Sequence, residues 1–197
     1  MKPRAALLLA FLALTGCATR TPPEEAPPVR VLLQTEEGDI VLEVDTVRAP
    51  ITASNFLRYV EAGQYDGGLF HRTVRAGNQP QNPVKIGVVQ AGVNPGLEAM
   101  GFSPVPLERT SITGLRHVDG AVSMARAEPD TATSDFFLCV GDQPELDFGG
   151  RRNPDGQGFA AFGRVVSGME AVLRIQARPA RGQTLDPPVR ILTARRL

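Results

Sequence analysis

Two cysteines and two histidines have the most versatile side-chain chemistry in this 197-residue chain. Cys139 lies in an apolar stretch and is expected to be a small buried residue rather than a nucleophile. His71 precedes Arg72, and we expect a packed histidine there rather than a general base. Neither histidine stands at a zinc-ligand spacing from a cysteine. The sequence therefore predicts no metal site and no cofactor.

The other cysteine, Cys17, ends a signal-like segment. Lys2 and Arg4 precede an apolar run over residues 5–14, which is too short to span a bilayer but has the length of a secretory signal. Residues 14–17, Leu-Thr-Gly-Cys, resemble a bacterial lipoprotein lipobox. The resemblance implies that the Cys17 thiol receives a diacylglyceryl group and that cleavage then exposes Cys17 for N-acylation. An ordinary cleaved signal, or an interior hydrophobic segment with a chance cysteine, is the alternative.

Lipidation at Cys17 would determine where the protein resides. Several acyl chains hold a protein firmly on a membrane, since each buried methylene contributes about 0.8 kcal/mol. Ala18 follows Cys17, and in the sorting pattern that this segment resembles, a residue other than aspartate favours the outer membrane. We therefore expect a bacterial envelope protein on the periplasmic face of the outer membrane, held there by its lipid anchor only.

The remaining chain divides into a tether and one folded domain. Residues 18–29 contain four prolines and no apolar periodicity, which predicts a semi-extended tether. The predicted organisation is a lipoprotein signal peptide over residues 1–17, the tether over 18–29 and a single domain over 30–197. Cleavage would leave Cys139 as the only other cysteine, so no intramolecular disulfide is expected.

Composition narrows the class of the domain. The chain has 21 basic and 21 acidic side chains and lacks the positive footprint of a nucleic-acid-binding protein. Its 20 glycines and 17 prolines require frequent turns but stay below the share typical of disordered chains. A loop-rich β or α+β domain is therefore the expected class.

Short strands account for most of the apolar pattern. Alternating apolar residues around the turn at residues 36–39 predict an opening hairpin. Further short apolar runs lie at residues 84–91, 120–125, 136–140 and 159–165. Separated by glycine and proline, such strands predict a β-barrel.

Two helices are predicted, one near each end of the domain. In the first, Thr52 is the expected N-cap and Gly63 the stop, and the apolar face consists of Ala53, Phe56, Leu57 and Val60. The second is expected over residues 168–177, between Gly168 and Pro179. Met169, Val172, Leu173 and Gln176 are predicted to share the face that packs on the barrel.

Five segments in a fixed order resemble motifs of the cyclophilin family. Residues 65–72 (YDGGLFHR) resemble YDGxxFHR, 89–92 (VQAG) the IQGG strand, 120–125 (GAVSMA) GxxSMA, 134–138 (SDFFL) SQFFI, and 159–169 the HxVFGxVxxGM region. The resemblance covers roughly residues 30–197. It implies a closed antiparallel eight-stranded β-barrel capped by two α-helices and peptidyl-prolyl cis-trans isomerase activity.

The same resemblance implies a set of site residues. Arg72 matches the arginine credited with catalysis, and Gln90 matches the glutamine that binds the substrate backbone. The other matches, expected to contact substrate, are Ala125, Phe137, Leu146 and Phe159. Read structurally instead, Arg72 would be a barrel-rim arginine, Gln90 a strand glutamine with a structural hydrogen bond, and Phe137 and Leu146 core residues.

The chain also departs from the family pattern near this site. Residues 75–83 form an inserted loop, and Gly87 and Val88 stand where a pocket phenylalanine and methionine are usual. Much of the proline-ring floor is then expected to be missing, unless the loop replaces it. Other differences are Arg126 for asparagine, Asp135 for glutamine, Glu145 for tryptophan and Phe159 for histidine.

The resulting expectation is a monomeric, lipid-anchored isomerase that acts on exposed X-Pro bonds of envelope proteins as they fold. Its partners would be proline-containing polypeptides, without nucleic acid. A noncatalytic peptide-binding or chaperone-like lipoprotein with a degenerate groove is the main alternative. An unrelated small ligand-binding β-barrel is a third.

Replacing Cys17 by Ser tests the anchor. Serine has no thiol for thioether formation, so the variant should lose lipid labelling and fail to mature as a lipoprotein. The measurement is the incorporation of radiolabelled palmitate into the wild type and into the serine variant. Unchanged labelling of the serine variant would refute the lipobox assignment.

Overall fold

An antiparallel hairpin opens the fold, as the alternation predicted. The structure is a computed structural model that describes residues 28–197. Strands β1 (Val29–Thr35) and β2 (Gly38–Val44) pair throughout their length. Because successive side chains of a strand point to opposite faces, every second residue enters the interior, and Val31, Leu33, Ile40 and Leu42 are fully buried. The predicted signal peptide and all but the end of the tether lie outside the described residues.

The strands close into the predicted eight-stranded antiparallel barrel. Their order is β1-β2-β7-β5-β6-β4-β3-β9, and pairing of β1 with β9 closes the ring. The two-residue strand β8 (Ala180–Arg181) adds only a short hairpin to β9. The remaining strands are β3 (Leu69–Val74), β4 (Val88–Gly92), β5 (Ala121–Met124), β6 (Phe136–Cys139), β7 (Ala160–Ser167) and β9 (Thr184–Arg196).

Two barrel strands lie outside the predicted apolar runs, β3 and β9. Strand β9 was masked by its sequence. It is the longest strand, yet Pro187 and Pro188 interrupt it, and proline normally argues against a paired strand. Only Leu185, Val189, Ile191 and Ala194 are buried along it. The predicted run at residues 84–91 also begins later than expected, since pairing starts at Val88.

The first helix, α1 (Pro50–Glu61), buries the predicted face but begins differently. The N-cap is Ala49, and Thr52, the predicted N-cap, lies buried within the first turn. The free backbone N–H groups of Ile51 and Thr52 instead donate to the Glu108 carboxylate, at 3.1 and 2.7 Å. Sequence patterns near the helix could not predict this cap, because its acceptor is more than fifty residues away. Ala62 is the C-cap, directly before Gly63.

Three α-helices are present in residues 28–197 rather than the predicted two. The extra one, α2 (Thr110–Thr113), is a single turn and too short for an apolar period. Helix α3 (Met169–Ala177) has the predicted bounds, but its buried face is Ala171, Val172 and Ile175. Leu173, predicted to face inward, is 47% exposed, because Ile175 occupies the side towards the barrel.

Aromatic rings fill the barrel. The Phe56 ring lies 5.2 to 5.4 Å from the rings of Tyr65, Phe136 and Phe162, measured between centroids. All four residues are fully buried, and the Tyr65 hydroxyl donates to the Ser134 carbonyl oxygen at 2.5 Å. These rings form the close-packed centre of the barrel. Within residues 28–197, none of the helices combines the length and apolar character needed to cross a bilayer.

Candidate active site

An open groove of about 480 Å³ lies on the outside of the barrel. Its wall contains all six residues that the family resemblance assigned to catalysis or substrate contact: Arg72, Gln90, Ala125, Phe137, Leu146 and Phe159. Arg72 and Gln90 are direct partners in the pairing of β3 with β4, and Gln90 and Phe137 in that of β4 with β6. The sheet register therefore sets the arginine, the glutamine and the aromatic ring side by side.

A β-bulge in β3 turns Arg72 towards the groove. Phe70 pairs with Ala91 and Arg72 pairs with Gln90, so His71 is an extra residue without a counterpart. Without it, residues two apart would share a face and Arg72 would follow Phe70 into the barrel. The bulge leaves Phe70 fully buried inside and moves Arg72 to the outer face. His71 is 39% exposed in its side chain and 3.5 Å from Asp135, so the expectation of a packed histidine was wrong.

A second, smaller apolar cluster forms the pocket. Phe137 and Leu146 are almost completely buried, yet both reach the groove wall. The rings of Phe137 and Phe159 meet edge to face at 5.3 Å, and the Phe159 N–H donates to the Leu146 carbonyl oxygen at 2.9 Å. These contacts join three separate segments into one concave apolar surface, suited to a small nonpolar ring.

The pocket floor is not missing. Ile86, just before β4, and Val88, its first residue, both line the groove on the same side as Gln90. Gly87 points away from the groove, and a Cβ atom built there would be 2.7 Å from the Val140 carbonyl oxygen. The phenylalanine expected at Gly87 therefore has no place in this backbone, and Ile86 supplies apolar surface in its stead.

The inserted loop at residues 75–83 packs beside the groove through Gln79. This side chain is 2% exposed, and its amide nitrogen donates to the carbonyl oxygens of Arg75 and Ile86. Its amide oxygen accepts from the guanidinium of Arg152 at 2.7 Å. Asn82, near the end of the loop, lines the groove itself. The loop thus contributes to the wall and holds Ile86 in position.

The polar side of the groove is a chain of hydrogen bonds centred on Arg72. Its Nη1 donates to Gln90 Oε1 at 3.0 Å, and Gln90 Nε2 donates to Asp135 Oδ2 at 2.9 Å. Arg72 Nε and Nη2 both donate to Gln183 Oε1, at 3.0 and 2.6 Å. Burial lowers the pKa of Arg72, but a guanidinium titrates so high that it stays charged. Both acceptors are neutral amides, so the positive charge is held in place without being cancelled.

Gln183 is a hydrogen-bond partner of Arg72 that the sequence patterns missed. It lies between β8 and β9, and its own amide nitrogen donates to the Asn78 carbonyl oxygen at 3.2 Å. A glutamine in a short turn has no motif, and only the folded chain brings it to Arg72. Asp135 was noted as a departure from the family pattern, and it is the partner of Gln90.

A buried hydrogen-bonded chain supports the pocket from behind. His117 Nδ1 lies 2.8 Å from Asp147 Oδ1, its Nε2 lies 2.9 Å from Ser123 Oγ, and its ring stacks on Phe137. Ser, His and Asp also make catalytic triads, but Ser123 is fully buried and His117 is 1% exposed, so substrate does not reach them. Burial alone would raise the pKa of Asp147, but hydrogen bonds from His117 outweigh it and lower that pKa.

Cys139 is buried, as predicted, and burial raises the pKa of its thiol, which disfavours the nucleophilic thiolate. In the part of the chain that the structure describes, no three histidine, cysteine, aspartate or glutamate side chains form a candidate metal site. Besides the guanidinium of Arg72, the groove offers amide groups and an apolar pocket. This set can bind a polypeptide and stabilise a change in its charge distribution.

Comparison with known proteins identifies the class. The family model described as cyclophilin type peptidyl-prolyl cis-trans isomerase/CLD matches residues 30–196. Peptidyl-prolyl cis-trans isomerase A of Dickeya dadantii is 38% identical over 146 residues, which cover 74% of this chain and 70% of that protein. An isomerase of Streptomyces antibioticus is 34% identical over 171 residues, covering 81% and 91%.

The fold agrees with this class. A crystal structure of a cyclophilin type isomerase from Cryptosporidium parvum superposes with a TM-score of 0.70 at 20% sequence identity, covering 87% of this chain and 98% of that one. The chain belongs to the cyclophilin-type peptidyl-prolyl cis-trans isomerase family. It is an isomerase of X-Pro bonds.

Replacing Gly87 by Phe tests the geometry of the floor. Since the new Cβ would clash with the Val140 carbonyl oxygen, the variant should lose about 1–3 kcal/mol of unfolding free energy or more, without tighter peptide binding. Val88→Met, whose side chain points into the groove, is the matched control and should remain stable. Urea unfolding and peptide titration measure both effects. A stable phenylalanine variant with improved affinity would contradict the orientation of Gly87.

Replacing Gln183 by Ala tests the positioning of Arg72. The guanidinium loses two hydrogen bonds but keeps that to Gln90, so kcat should fall about threefold to tenfold. Gln34→Ala, at the β1–β9 seam away from the groove, should leave kcat unchanged. Peptide isomerisation is measured together with urea unfolding. An unchanged kcat in the Gln183 variant would show that Gln90 alone positions Arg72.

Proposed function

We propose that this isomerase is a lipid-anchored protein of the bacterial cell envelope that acts on X-Pro bonds of proteins folding there. The activity follows from the family, whereas the location rests on the signal-like segment and Cys17. The observation that carries the proposed mechanism is the uncancelled guanidinium of Arg72, held beside an apolar pocket on an open surface. An open groove suits an extended polypeptide, and proline-containing chains are its proposed substrates.

The reaction requires rotation about one bond and no covalent chemistry. Amide resonance sets a barrier of about 18–20 kcal/mol, so an X-Pro bond isomerises in tens to hundreds of seconds without catalysis. In the twisted transition state the prolyl nitrogen becomes pyramidal, and its lone pair, no longer delocalised into the carbonyl group, is localised on the nitrogen. A group that interacts better with this state than with the planar amide lowers the barrier.

Arg72 is the proposed catalytic residue. Its N–H groups can donate to the prolyl nitrogen or to the neighbouring carbonyl as resonance is lost. The bonds to Gln90 and Gln183 fix the guanidinium before substrate arrives, which reduces the reorganisation needed at the transition state. No proton is transferred, so neither a general base nor a nucleophile is needed.

The other groove residues are proposed to hold the peptide around the rotating bond. Phe137, Leu146 and Phe159 would grip the proline ring, while Gln90 binds the peptide backbone and Ala125 leaves room beside it. Burial of a small ring supplies a few kcal/mol at most. With the ring fixed, rotation is confined to the segment that precedes proline.

The noncatalytic alternative depended on a weakened pocket floor. Ile86 and Val88 provide that floor, and Arg72 keeps its position next to it. No observation therefore favours the alternative over an isomerase. The protein is proposed to act as a monomer, because the groove is formed by one chain.

Replacing Arg72 by Ala tests the mechanism. The variant should lose tenfold to a hundredfold in kcat/KM, about 1.4–2.7 kcal/mol of transition-state stabilisation, with the fold intact. Arg72→Lys should not restore the rate, since a single ammonium lacks the planar fork. Arg164→Ala, an exposed arginine paired with Glu43 on the barrel, is the control.

The assay follows isomerisation of a proline peptide by protease coupling or NMR exchange, using protein without residues 1–17. A folded Arg72→Ala protein with the wild-type rate would remove Arg72 from the mechanism. Peptide binding by a stable wild type without any isomerisation would instead favour the noncatalytic alternative.

A further inference from the structure

A second guanidinium, that of Arg152, faces the same groove as Arg72. It belongs to the segment between Leu146 and Phe159, which leaves the apolar pocket and returns to it. Arg152 Nη1 donates to Gln79 Oε1 and to the Val84 carbonyl oxygen, both at 2.7 Å. The inserted loop and its following segment thus hold this side chain at the groove wall.

The charge of Arg152 is not cancelled by these contacts. Both acceptors are neutral, and no ion pair joins Arg152 to a carboxylate within residues 28–197. Arg126, which also lines the groove, differs because it binds both oxygens of Asp155, at 2.8 and 3.1 Å. Two of the three groove arginines, Arg72 and Arg152, are therefore available to an anion.

The guanidinium groups of Arg72 and Arg152 are close enough for their positive charges to interact. Burial lowers the pKa of Arg152, and the positive charge of Arg72 lowers it further. A bound carboxylate would relieve both effects, since it supplies a counter-charge where water is partly excluded. The groove carboxylate, Asp135, is already engaged by Gln90 and lies 3.5 Å from His71.

We propose that Arg152 makes this groove selective for polypeptides that carry an acidic side chain next to the proline. The inference rests on the proposed isomerase function and deepens it by naming a substrate class. Arg72 acts on the rotating bond, while Arg152 binds the flanking carboxylate through Nε and Nη2, since its two side-chain hydrogen bonds within residues 28–197 both come from Nη1. A lysine at the same peptide position would be repelled.

Two sets of otherwise identical proline tetrapeptides test this selectivity. One set has Glu, Gln or Lys directly before proline, and the other has the same three residues directly after it. The full-length protein is used as purified from cells, with kcat/KM from NMR exchange and Kd from titration. In one of the two sets, kcat/KM and affinity should be roughly threefold to tenfold higher for the Glu peptide than for the Gln peptide. The Lys peptide should have lower values than the Gln peptide.

In the variant Arg152→Gln, the ratio of kcat/KM for the Glu peptide to that for the Gln peptide in that set should be close to one. Arg151→Gln is the matched control, because Arg151 is its exposed neighbour and pairs with Glu145. It should keep the wild-type ratio. The wild-type ratio should also fall towards one as salt is added, a readout that does not depend on how well any variant folds.

A wild type without Glu preference in either set would overturn the inference, as would a preference that survives in Arg152→Gln or is insensitive to salt. The two measurements separate this from the proposed function. Preferential binding of the Glu peptide without turnover would support the role of Arg152 and reject catalysis. Turnover without charge preference would do the reverse, and failure to bind any peptide would overturn both.

Discussion

Four packed aromatic rings inside the barrel constrain everything else in this protein. Phe56, Tyr65, Phe136 and Phe162 pack together in the centre of the barrel, and the groove lies on the outer face of the sheet. The outer face in turn needs its own apolar layer to bind a proline ring. The cluster around Phe137 and Leu146 supplies that layer. The barrel is thus a solid support with a second, smaller core on one side.

Because side chains along a strand alternate between its two faces, the same strands contribute to both cores. In β4, Val89 enters the barrel while Gln90 faces the groove, and in β6 Phe136 packs inside while Phe137 lines the pocket. In β3 a bulge shifts the alternation. The bulge at His71 is needed because Phe70 and Arg72 are two residues apart yet serve opposite faces. A single extra residue therefore allows one short strand to contribute to both core and site.

Local patterns predicted those parts of the molecule that local physics determines. The hairpin, the two longer helices and the groove residues within motifs followed from periodicity and resemblance. Strand β9 could not be predicted in this way, because its two prolines are untypical of a paired strand. The cap of α1 could not be predicted either, because Glu108 belongs to a distant segment. The partners of Arg72 and the floor at Ile86 likewise depend on which segments meet in space. The position of Arg152 at the groove wall could not be predicted for the same reason, since it depends on contacts with Gln79 and Val84.

The buried thiol of Cys139 makes the barrel's integrity observable. Cys139 is fully buried in β6, which is hydrogen-bonded on both sides, to β4 and to β5. A reagent can alkylate it only when these strands separate, and the raised thiol pKa keeps the background reaction slow. The rate at which Cys139 is labelled therefore measures transient opening of the sheet beneath the groove. The protein carries a native probe that distinguishes a variant with a loosened barrel from one whose defect is confined to the surface.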